Sequence, residues 1–456
     1  MSSNASAVAA AGSLAAELDP GQVLLPGPGY DEARQIWNGA VEHRPALIVR
    51  AETPTNVQAA VRAARANGLP ISVRGGGHDW AGRALRHDGL VIDLTRMRHV
   101  AVDRDAQVAT LEGGALAADL IAAAAPHNLT AATGTVGAVG MVGLTLAGGY
   151  GPLAGKHGLA LDNLLGADLV LADGRLVTVD ATHEPELFWA LRGGGGNFGV
   201  VTAMRVRLHP ATTLLAGFIF FPWSQAADVF HGYAALAATA PDELTAQIGV
   251  LAGPDGNPFV YLAPAWSGDP AQGERAINQL EQLGTPLMSQ VAPMAHADML
   301  RLFDAHIANG RHYAGRTRSV KTFTPEVISA VVRAGDTLTS PLSGMPIHHF
   351  HGAAARVPTV ATAFGNRQEH LMIEIFAGWE PTDGDDGARH RAWSDSVSKS
   401  LAPFALPGGY PNILGPDDHE QIQQAYGPNA ARLRAAKQRF DPDGVFSATA
   451  LPVSGS

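Results

Sequence analysis

The chain has 456 residues, of which 46% are hydrophobic and 16% charged, and its net charge at pH 7 is −10. This length predicts about two to three domain-sized units, and the lack of a basic block argues against nucleic acid as a partner. The sequence contains no cysteine, which excludes disulfides, thiolate metal sites and cysteine-linked cofactors.

The first 25 residues are rich in alanine and serine and lack the basic start of a signal peptide. We interpret residues 1–25 as a flexible tail, with a short helix over 7–17 as the alternative. No run of about 18 apolar residues occurs in the chain, so we expect no membrane span. Because a cysteine-free chain fits a reducing compartment, we expect a cytoplasmic location.

The next part of the chain has the pattern of a small α/β unit that leads into a hairpin. In order, the apolar periodicity predicts a helix within 26–39, a strand over 46–49, a helix over 55–67, strands over 70–73 and 90–94, and a hairpin over 100–112. The strand at 70–73 runs directly into Arg74, three glycines and His78.

Glycines are concentrated in three regions, 75–77, 134–151 and 193–199. Glycine lacks a Cβ, so a ligand can approach its backbone closely, and consecutive N–H groups can form an anion-binding concavity. Arg74 adds a fork of donors suited to phosphate. Three such regions indicate loops wrapped around a long, flat ligand.

Beyond His209-Pro210, strand-like runs alternate with helical patterns, which predicts a second domain made of a sheet with helices on one face. Strand-like runs cover 217–221, 248–252, 259–263 and 372–379, and helical patterns cover 226–238, 271–283 and 325–335. A helix over 425–440 follows near the end of the chain.

Two other motifs, a G-x-G-x-x-G string and a cluster of histidines, match known binding-site patterns, but we do not interpret them as such sites. The G-x-G-x-x-G string at 194–199 follows a predicted helix and precedes a strand, the reverse of a dinucleotide-binding site. His348, His349 and His351 invite a metal interpretation, but on a strand only His349 and His351 share a face. We favour packing or polar substrate contacts for these histidines and expect no metal.

Several stretches resemble the vanillyl-alcohol oxidase superfamily of flavoproteins, with its PCMH-type FAD-binding domain, in the berberine-bridge-enzyme-like and 6-hydroxynicotine-oxidase-like branch. The matching stretches are R-G-G-G-H at 74–78, G-T-V-G-A-V-G-M-V-G at 134–143, G-G-Y-G at 148–151, F-W-A-L-R-G-G-G-G-N-F-G-V-V-T at 188–202 and F-D-P-x-x-V-F at 440–446. The similarity extends from about residue 45 to the end.

The resemblance implies an α+β fold in which a two-part FAD-binding domain, a small α/β lobe plus a larger α+β lobe, joins a substrate domain of antiparallel sheet covered by helices. We place the FAD-binding domain at 26–210, the substrate domain at 211–404 and a C-terminal segment that returns to the FAD-binding domain at 405–456.

The resemblance also implies that His78 is attached to the 8α-methyl carbon of FAD. Many relatives have a second attachment through a cysteine, whose place is held here by Val136, so we expect a single bond through His78. The residues expected to contact FAD are His78, Arg74, Gly75, Gly76, Gly77, Gly134, Thr135, Val139, Gly140, Gly143, Gly149, Asn163, Gly199, Val201 and Asn412.

The substrate side departs from the family, because the positions that carry the proton acceptor in plant relatives are Met372 and Ile413 here. Glu374 lies two residues along on the same strand face and is the candidate base, with a structural carboxylate as the alternative. Further candidates for catalysis are Tyr150, His349 and His351, and for the substrate side Arg311 and Tyr313.

The implied reaction is hydride transfer from a small alcohol, amine or secondary metabolite to flavin N5. Val139 holds the place of a small residue that admits oxygen, which favours an oxidase that reduces O2 to hydrogen peroxide. An apolar or aromatic substrate is favoured by five residues expected near the site: Met345, Ile347, Phe350, Met372 and Phe376. The alternatives are an oxidative cyclase or tailoring enzyme, a sugar oxidase, and a flavin-bearing protein without turnover. We expect a monomer or a homodimer.

Overall fold

The computed structural model describes residues 3–382 and 386–452. Within them, the N-terminal lobe is built on a sheet of order β1-β2-β4-β3. Strands β2, β3 and β4 are parallel, and β1 is antiparallel to β2. The strands are β1 Val23–Leu24, β2 Leu47–Arg50, β3 Ile71–Arg74 and β4 Leu90–Asp93, and the helices are α1 Ser3–Leu14, α2 Tyr30–Ala33 and α3 Pro54–Ala66.

Helix α3 connects β2 to β3 and begins at a complete cap. The Thr53 hydroxyl accepts from the backbone N–H of Asn56, and Pro54 occupies the first turn, where its missing N–H has no cost. Along the helix, apolar residues recur every three or four positions and are buried; these include Val57, Ala60, Val61 and Ala64.

We predicted a flexible tail over residues 1–25, but the structure has a helix, α1, over Ser3–Leu14, so this prediction is wrong there. This helix packs on α3 and buries Ala7, Ala10 and Leu14. Spacings of three and four residues place these side chains on one helix face, and small alanines permit a close approach to the alanine-rich face of α3. The alternative of a short helix is nearer to the structure.

The second lobe contains an antiparallel sheet of order β5-β6-β10-β8-β9. The C-terminal residues pack against this lobe through Leu433, Ala436 and Tyr426. The elements are β5 Val100–Asp103, β6 Val108–Glu112, α4 Ala117–Ala124, β7 Leu129–Thr130, α5 Met141–Ala147, α6 Ala154–His157, β8 Leu164–Val170, β9 Leu176–Asp180, α7 Pro185–Leu191, β10 Val200–Arg207 and β11 His209–Pro210, with α14 His419–Gln424 and α15 Ala430–Phe440 near the end of the chain.

A larger antiparallel sheet of order β15-β12-β14-β13-β17-β18-β16 lies in the region predicted as the substrate domain. Its elements are β12 Leu214–Pro222, α8 Ala226–Ala237, β13 Leu244–Ala252, β14 Pro258–Trp266, α9 Pro270–Glu281, β15 Met288–Met294, α10 His296–Met299, β16 His312–Val320, α11 Pro325–Asp336, β17 Met345–Phe350, α12 Ala353–Arg356, β18 His370–Trp379 and α13 Ala388–Leu401. The predicted α+β fold class is confirmed.

The two faces of this sheet have different roles because side chains alternate along a strand. On β18, Ile373 and Ile375 belong to the core under α8, α11 and α13. Glu374 and Phe376 point to the other face and line a cavity. Among the described helices, none has the length and apolar character that a membrane span requires.

Candidate active site

A cavity of about 400 Å³ lies where the glycine-rich loops of the two N-terminal lobes meet the face of the large sheet opposite α8, α11 and α13. Twelve of the residues expected to contact a cofactor line it: His78, Gly75, Gly76, Gly77, Gly134, Thr135, Val139, Gly140, Gly143, Gly199, Val201 and Asn412. The structure therefore brings three sequence-distant glycine regions to one wall.

Two of these loops touch through their backbones. A Cβ added to Gly76 would lie 2.4 Å from the amide nitrogen of Gly140, and one added to Gly140 would lie 2.5 Å from that of Gly76. Gly77 adopts φ +65°, in the left-handed region. A side chain at either Gly76 or Gly140 would separate the loops, which explains the glycines on this wall.

His78 lies at the end of the first loop, with its ring against the indole of Trp37. The ring centroids are 4.3 Å apart and the planes are 11° from parallel. Nε2 of His78 is buried and has no hydrogen-bond partner among the described residues. Burial lowers the pKa of His78 to about 4, so the imidazole is neutral at pH 7.

Four polar side chains form a cluster on the sheet side of the cavity. The Tyr261 hydroxyl donates to Oε1 of Gln247 at 2.9 Å, and Nε2 of Gln247 lies 2.9 Å from Nε2 of His348. An amide nitrogen only donates, so Nε2 of His348 accepts here. Glu374 Oε1 lies 3.5 Å from the same nitrogen, which in this tautomer does not donate to the carboxylate.

Two tyrosines lie beside this cluster. The Tyr410 hydroxyl accepts from the Gly149 amide and from Asn412, each at 2.9 Å, and burial raises the pKa of Tyr410 to about 12. The Tyr150 hydroxyl lies 2.9 Å from Nε2 of His370, and burial also raises the pKa of Tyr150. Both phenols therefore stay protonated at neutral pH.

Five predicted site residues lie away from the cavity lining: Arg74, Gly149, Asn163, His349 and His351. The Arg74 guanidinium donates to the Ala33 carbonyl at 2.5 Å and faces Asp93 at 3.9 Å, while its Nε has no hydrogen-bond partner among the described residues. Asn163 donates to the carbonyls of His157 and Leu159. A Cβ on Gly149 would lie 2.4 Å from that of Ala160, so this glycine permits packing beneath the site.

The histidines of β17 divide between the two strand faces. His348 points into the cavity, while His349 and His351 share the other face and stack at 4.0 Å. Burial lowers the pKa of His349 to about 3. No group of three or more His, Asp or Glu side chains in the described ranges is arranged to hold a metal ion.

Of the five apolar residues expected near the substrate, only Phe376 lines the cavity. Met345 and Ile347 belong to the core under the helices, and Phe350 and Met372 pack behind Tyr150. Tyr313 also lines the cavity, whereas Arg311 pairs with Glu380 at 2.9 Å. Further apolar lining comes from residues that the sequence did not single out, among them Leu251, Phe303, Ile307, Pro341, Leu342 and Pro346.

Gln247, Tyr261 and Trp37 were also not predicted as site residues. Gln247 stands in the otherwise apolar strand β13, and a lone amide in a buried strand is a signal that could have identified it. Nothing local marks Trp37, because its role depends on contacts with residues distant in the sequence.

Comparisons with known proteins agree with this geometry. The family described as FAD binding domain matches residues 45–180, and berberine and berberine like matches 409–450. FAD-linked oxidoreductase aurO from Gibberella zeae is 32% identical over 92% of this chain and 83% of its own length. (R)-6-hydroxynicotine oxidase from Paenarthrobacter nicotinovorans is 32% identical over 93% of this chain and 95% of its own length.

The crystal structure of 6-hydroxy-D-nicotine oxidase from Arthrobacter nicotinovorans has the same fold. It matches with a TM-score of 0.87 at 29% identity and covers 96% of this chain and 98% of that chain. The resemblance inferred from the glycine loops is therefore confirmed. The chain belongs to the berberine-bridge-enzyme-like family within the vanillyl-alcohol oxidase superfamily, and it is an FAD-linked oxidoreductase.

Proposed function

We propose that this enzyme is an oxidase with FAD attached through His78 alone, and that it oxidises a small substrate with an apolar or aromatic body and one amine or hydroxyl group. The observation that carries the proposal is the placement of Glu374 in a cavity that also contains His78 and the three glycine regions.

The residues of the cavity fit FAD. The wall formed by Gly76 and Gly140 has no side chains to obstruct a flat ligand, and Nε2 of His78 is a buried polar atom without a partner in the described part of the chain. Such an atom has a free-energy cost unless a ligand or a functional role accounts for it. No cysteine exists for a second bond, since Val136 lines the cavity at that place.

Covalent attachment of FAD to His78 is a two-electron oxidation, and the atoms and electrons balance when O2 is the oxidant. A bond forms between an imidazole nitrogen and the 8α-methyl carbon of FAD, and one hydrogen leaves the imidazole and one leaves the methyl group. These two hydrogens reduce O2 to hydrogen peroxide. A neutral imidazole is required, because a protonated ring has no lone pair to donate; burial supplies it by lowering the pKa of His78 to about 4.

When bound, FAD supplies the hydride acceptor for the substrate carbon. Glu374 is placed to take the substrate O–H or N–H proton, because its carboxylate lines the cavity and is not engaged by Nε2 of His348. Tyr261 and Gln247 hold His348 in place. Tyr410 stays protonated and, with Asn412, presents hydrogen-bonding groups to the cavity.

The substrate class follows from the composition of the wall. Leu251, Phe303, Leu342 and Phe376 offer apolar surface, and beside them lie the polar cluster around Glu374 and the side chains of His306 and Tyr313. One relative is named for oxidising (R)-6-hydroxynicotine, which agrees with a substrate that has an aromatic body and an amine group. Val139 lines the cavity and supports access for oxygen.

The test combines two measurements on the purified protein. Oxygen uptake and peroxide release are followed over a panel of aromatic amines, aromatic alcohols and oligosaccharides, and aromatic substrates are expected to give turnover. Turnover with oligosaccharides alone would contradict the substrate class. If no substrate bleaches the flavin absorbance, the protein is a flavin carrier and the oxidase proposal fails.

Attachment is tested by denaturing the protein and measuring absorbance and mass. The yellow colour should stay with the polypeptide, whose mass should rise by that of one FAD. His78→Ala should release the flavin on denaturation. Flavin that stays bound to denatured His78→Ala would show that another residue forms the bond.

A further inference from the structure

Three aromatic rings are stacked beside the cavity in the order Tyr313, Trp37, His78. The Trp37 indole lies 4.1 Å from the Tyr313 ring at 14° and 4.3 Å from the His78 ring at 11°. Trp37 and Tyr313 are both buried and both line the cavity. Trp37 therefore contacts one ring from the first glycine loop and one from the substrate domain.

Trp37 is held by hydrogen bonds of its indole and its backbone to separate parts of the chain. Its Nε1 donates to the Ile307 carbonyl at 2.8 Å. Its backbone N–H donates to the Gly77 carbonyl, and its own carbonyl accepts from the Gly310 N–H, both at 3.0 Å. The position of Trp37 is thus tied to the residue that precedes His78 and to the segment that leads into β16.

Asn38 continues this connection between the lobes. Its Nδ2 donates to the carbonyls of Trp80 at 2.6 Å and Tyr313 at 2.9 Å, and its Oδ1 accepts from the Tyr313 N–H at 2.9 Å. Next to it, a Cβ on Gly39 would lie 2.2 Å from the Gly310 carbonyl oxygen. The Asn38 side chain therefore ties the backbones around 80 and 313 together, Gly39 packs directly on the backbone of Gly310, and the stack has little freedom to shift.

We propose that Trp37 is a positioning residue for the covalent attachment of FAD, which holds the His78 ring in the plane required for bond formation. This inference rests on the proposed attachment through His78. Trp37 lies before the segment matched by the FAD-binding family, and Tyr313 lies outside both matched segments, so neither role comes from those matches.

Stacking is suited to positioning the His78 imidazole, because contact with the ring face fixes the ring plane and leaves the nitrogens at the ring edge accessible. A histidine held by a hydrogen bond to a ring nitrogen has that nitrogen occupied. Here the indole face fixes the ring plane, and Nε2 has no partner in the described chain. The indole also shields the imidazole from water, in keeping with the low pKa of His78.

The experiment measures how fast apoprotein forms covalently bound flavin after FAD is added, by acid precipitation and mass measurement at successive times. We expect Trp37→Ala to form covalent flavin about 10- to 100-fold more slowly than the wild type, as misplaced reacting groups do. Trp37→Phe should recover most of the rate, because a phenyl ring also presents a flat face. Free FAD should still bind to both variants.

Trp223→Ala is the matched control, since its indole is also hydrogen-bonded, to Asp336, but does not line the cavity. It should attach flavin at the wild-type rate. If Trp37→Ala fails to fold by circular dichroism, Tyr313→Leu, on the far side of the stack, takes its place and should slow attachment severalfold.

Two outcomes distinguish failure of the positioning role of Trp37 from failure of the proposed attachment through His78. Wild-type rates in folded Trp37→Ala, or equally slow rates in Trp37→Phe and Trp37→Ala, would overturn the positioning role and leave attachment through His78 intact. A wild-type protein without covalent flavin would overturn attachment itself, and the positioning role with it.

Discussion

The carboxylate of Glu374 lies 3.5 Å from Nε2 of His348, on the neighbouring strand, where that nitrogen already accepts a hydrogen bond from Gln247. Strands β17 and β18 are antiparallel, with His348 opposite Met372, so Glu374 is the diagonal neighbour of His348 on one face. The carboxylate thus stays available to a substrate proton.

Glu374→Gln should lower the rate of substrate oxidation by about 10²- to 10⁴-fold, because an amide cannot accept the proton. The measurement is the rate of flavin reduction by substrate without oxygen, after confirming wild-type FAD content. Glu369→Gln, an exposed position just before β18, is the matched control and should react normally. An unchanged rate in Glu374→Gln would make this carboxylate structural.

Gly76→Ala should destabilise the apoprotein, because its new Cβ would lie 2.4 Å from the Gly140 amide nitrogen, and it should also abolish FAD binding. Gly143→Ala is the partner variant, since a Cβ built on the cavity-lining Gly143 meets no atom of the described residues within 4 Å beyond its chain neighbours and its own helix backbone. The second change should preserve or slightly raise apoprotein stability, by about 0.5–1 kcal/mol in a helix. Thermal unfolding with and without FAD distinguishes them; equal melting temperatures for the two apoproteins would contradict the predicted loop contact.

Arg367→Leu should lower the free energy of unfolding by about 3–5 kcal/mol, because it leaves the Asp162 carboxylate buried without its charge partner. The two side chains form a bidentate pair at 2.7 and 2.9 Å and are 2% and 9% exposed. Arg356→Leu removes an exposed pair with Asp242 and should cost less than about 1 kcal/mol. Denaturant unfolding of both variants checks this, and equal losses would refute the distinction.

Because of His296, the free energy of unfolding should decrease as the pH falls from 6.5 towards 4. Its ring lies 2.8 Å from the Thr130 hydroxyl, and burial lowers the pKa of His296 from 6.5 to about 4. Between these values the unfolded chain takes up a proton that the folded chain does not, so stability is complete above pH 6.5 and falls towards pH 4. His296→Gln should remove up to about 3 kcal/mol of this pH dependence, as measured by unfolding at a series of pH values. Parallel curves for the variant and the wild type would show that another group is responsible.

Local sequence was sufficient for the features that depend on backbone freedom and strand alternation. Gly76, Gly140 and Gly199 were predicted to surround one ligand, and they line one cavity, because glycine is the residue that tolerates such close approach. Glu374 was placed in the site from its spacing to Met372, and it lines the cavity.

Other predictions failed because a pattern shows that two side chains share a face but not which face meets the ligand. His349 and His351 do share a face, yet His348 is the histidine that reaches the cavity. The direction depends on which side of the large sheet the helices cover. Arg74 was expected at phosphate for its chemistry, but one of its terminal nitrogens donates to the Ala33 carbonyl and the side chain does not line the cavity.

The sequence by itself determined the family and the FAD cofactor, since these depend on the glycine clusters, and it predicted His78 as the point of attachment. Only the tertiary structure decided how that histidine is held. Trp37 and Tyr313 are 276 positions apart, and the stack in which Trp37 lies between Tyr313 and His78 forms only when the sheet of the substrate domain packs against the first lobe. Contacts of that kind depend on the packing of whole domains, which no local pattern of residues encodes.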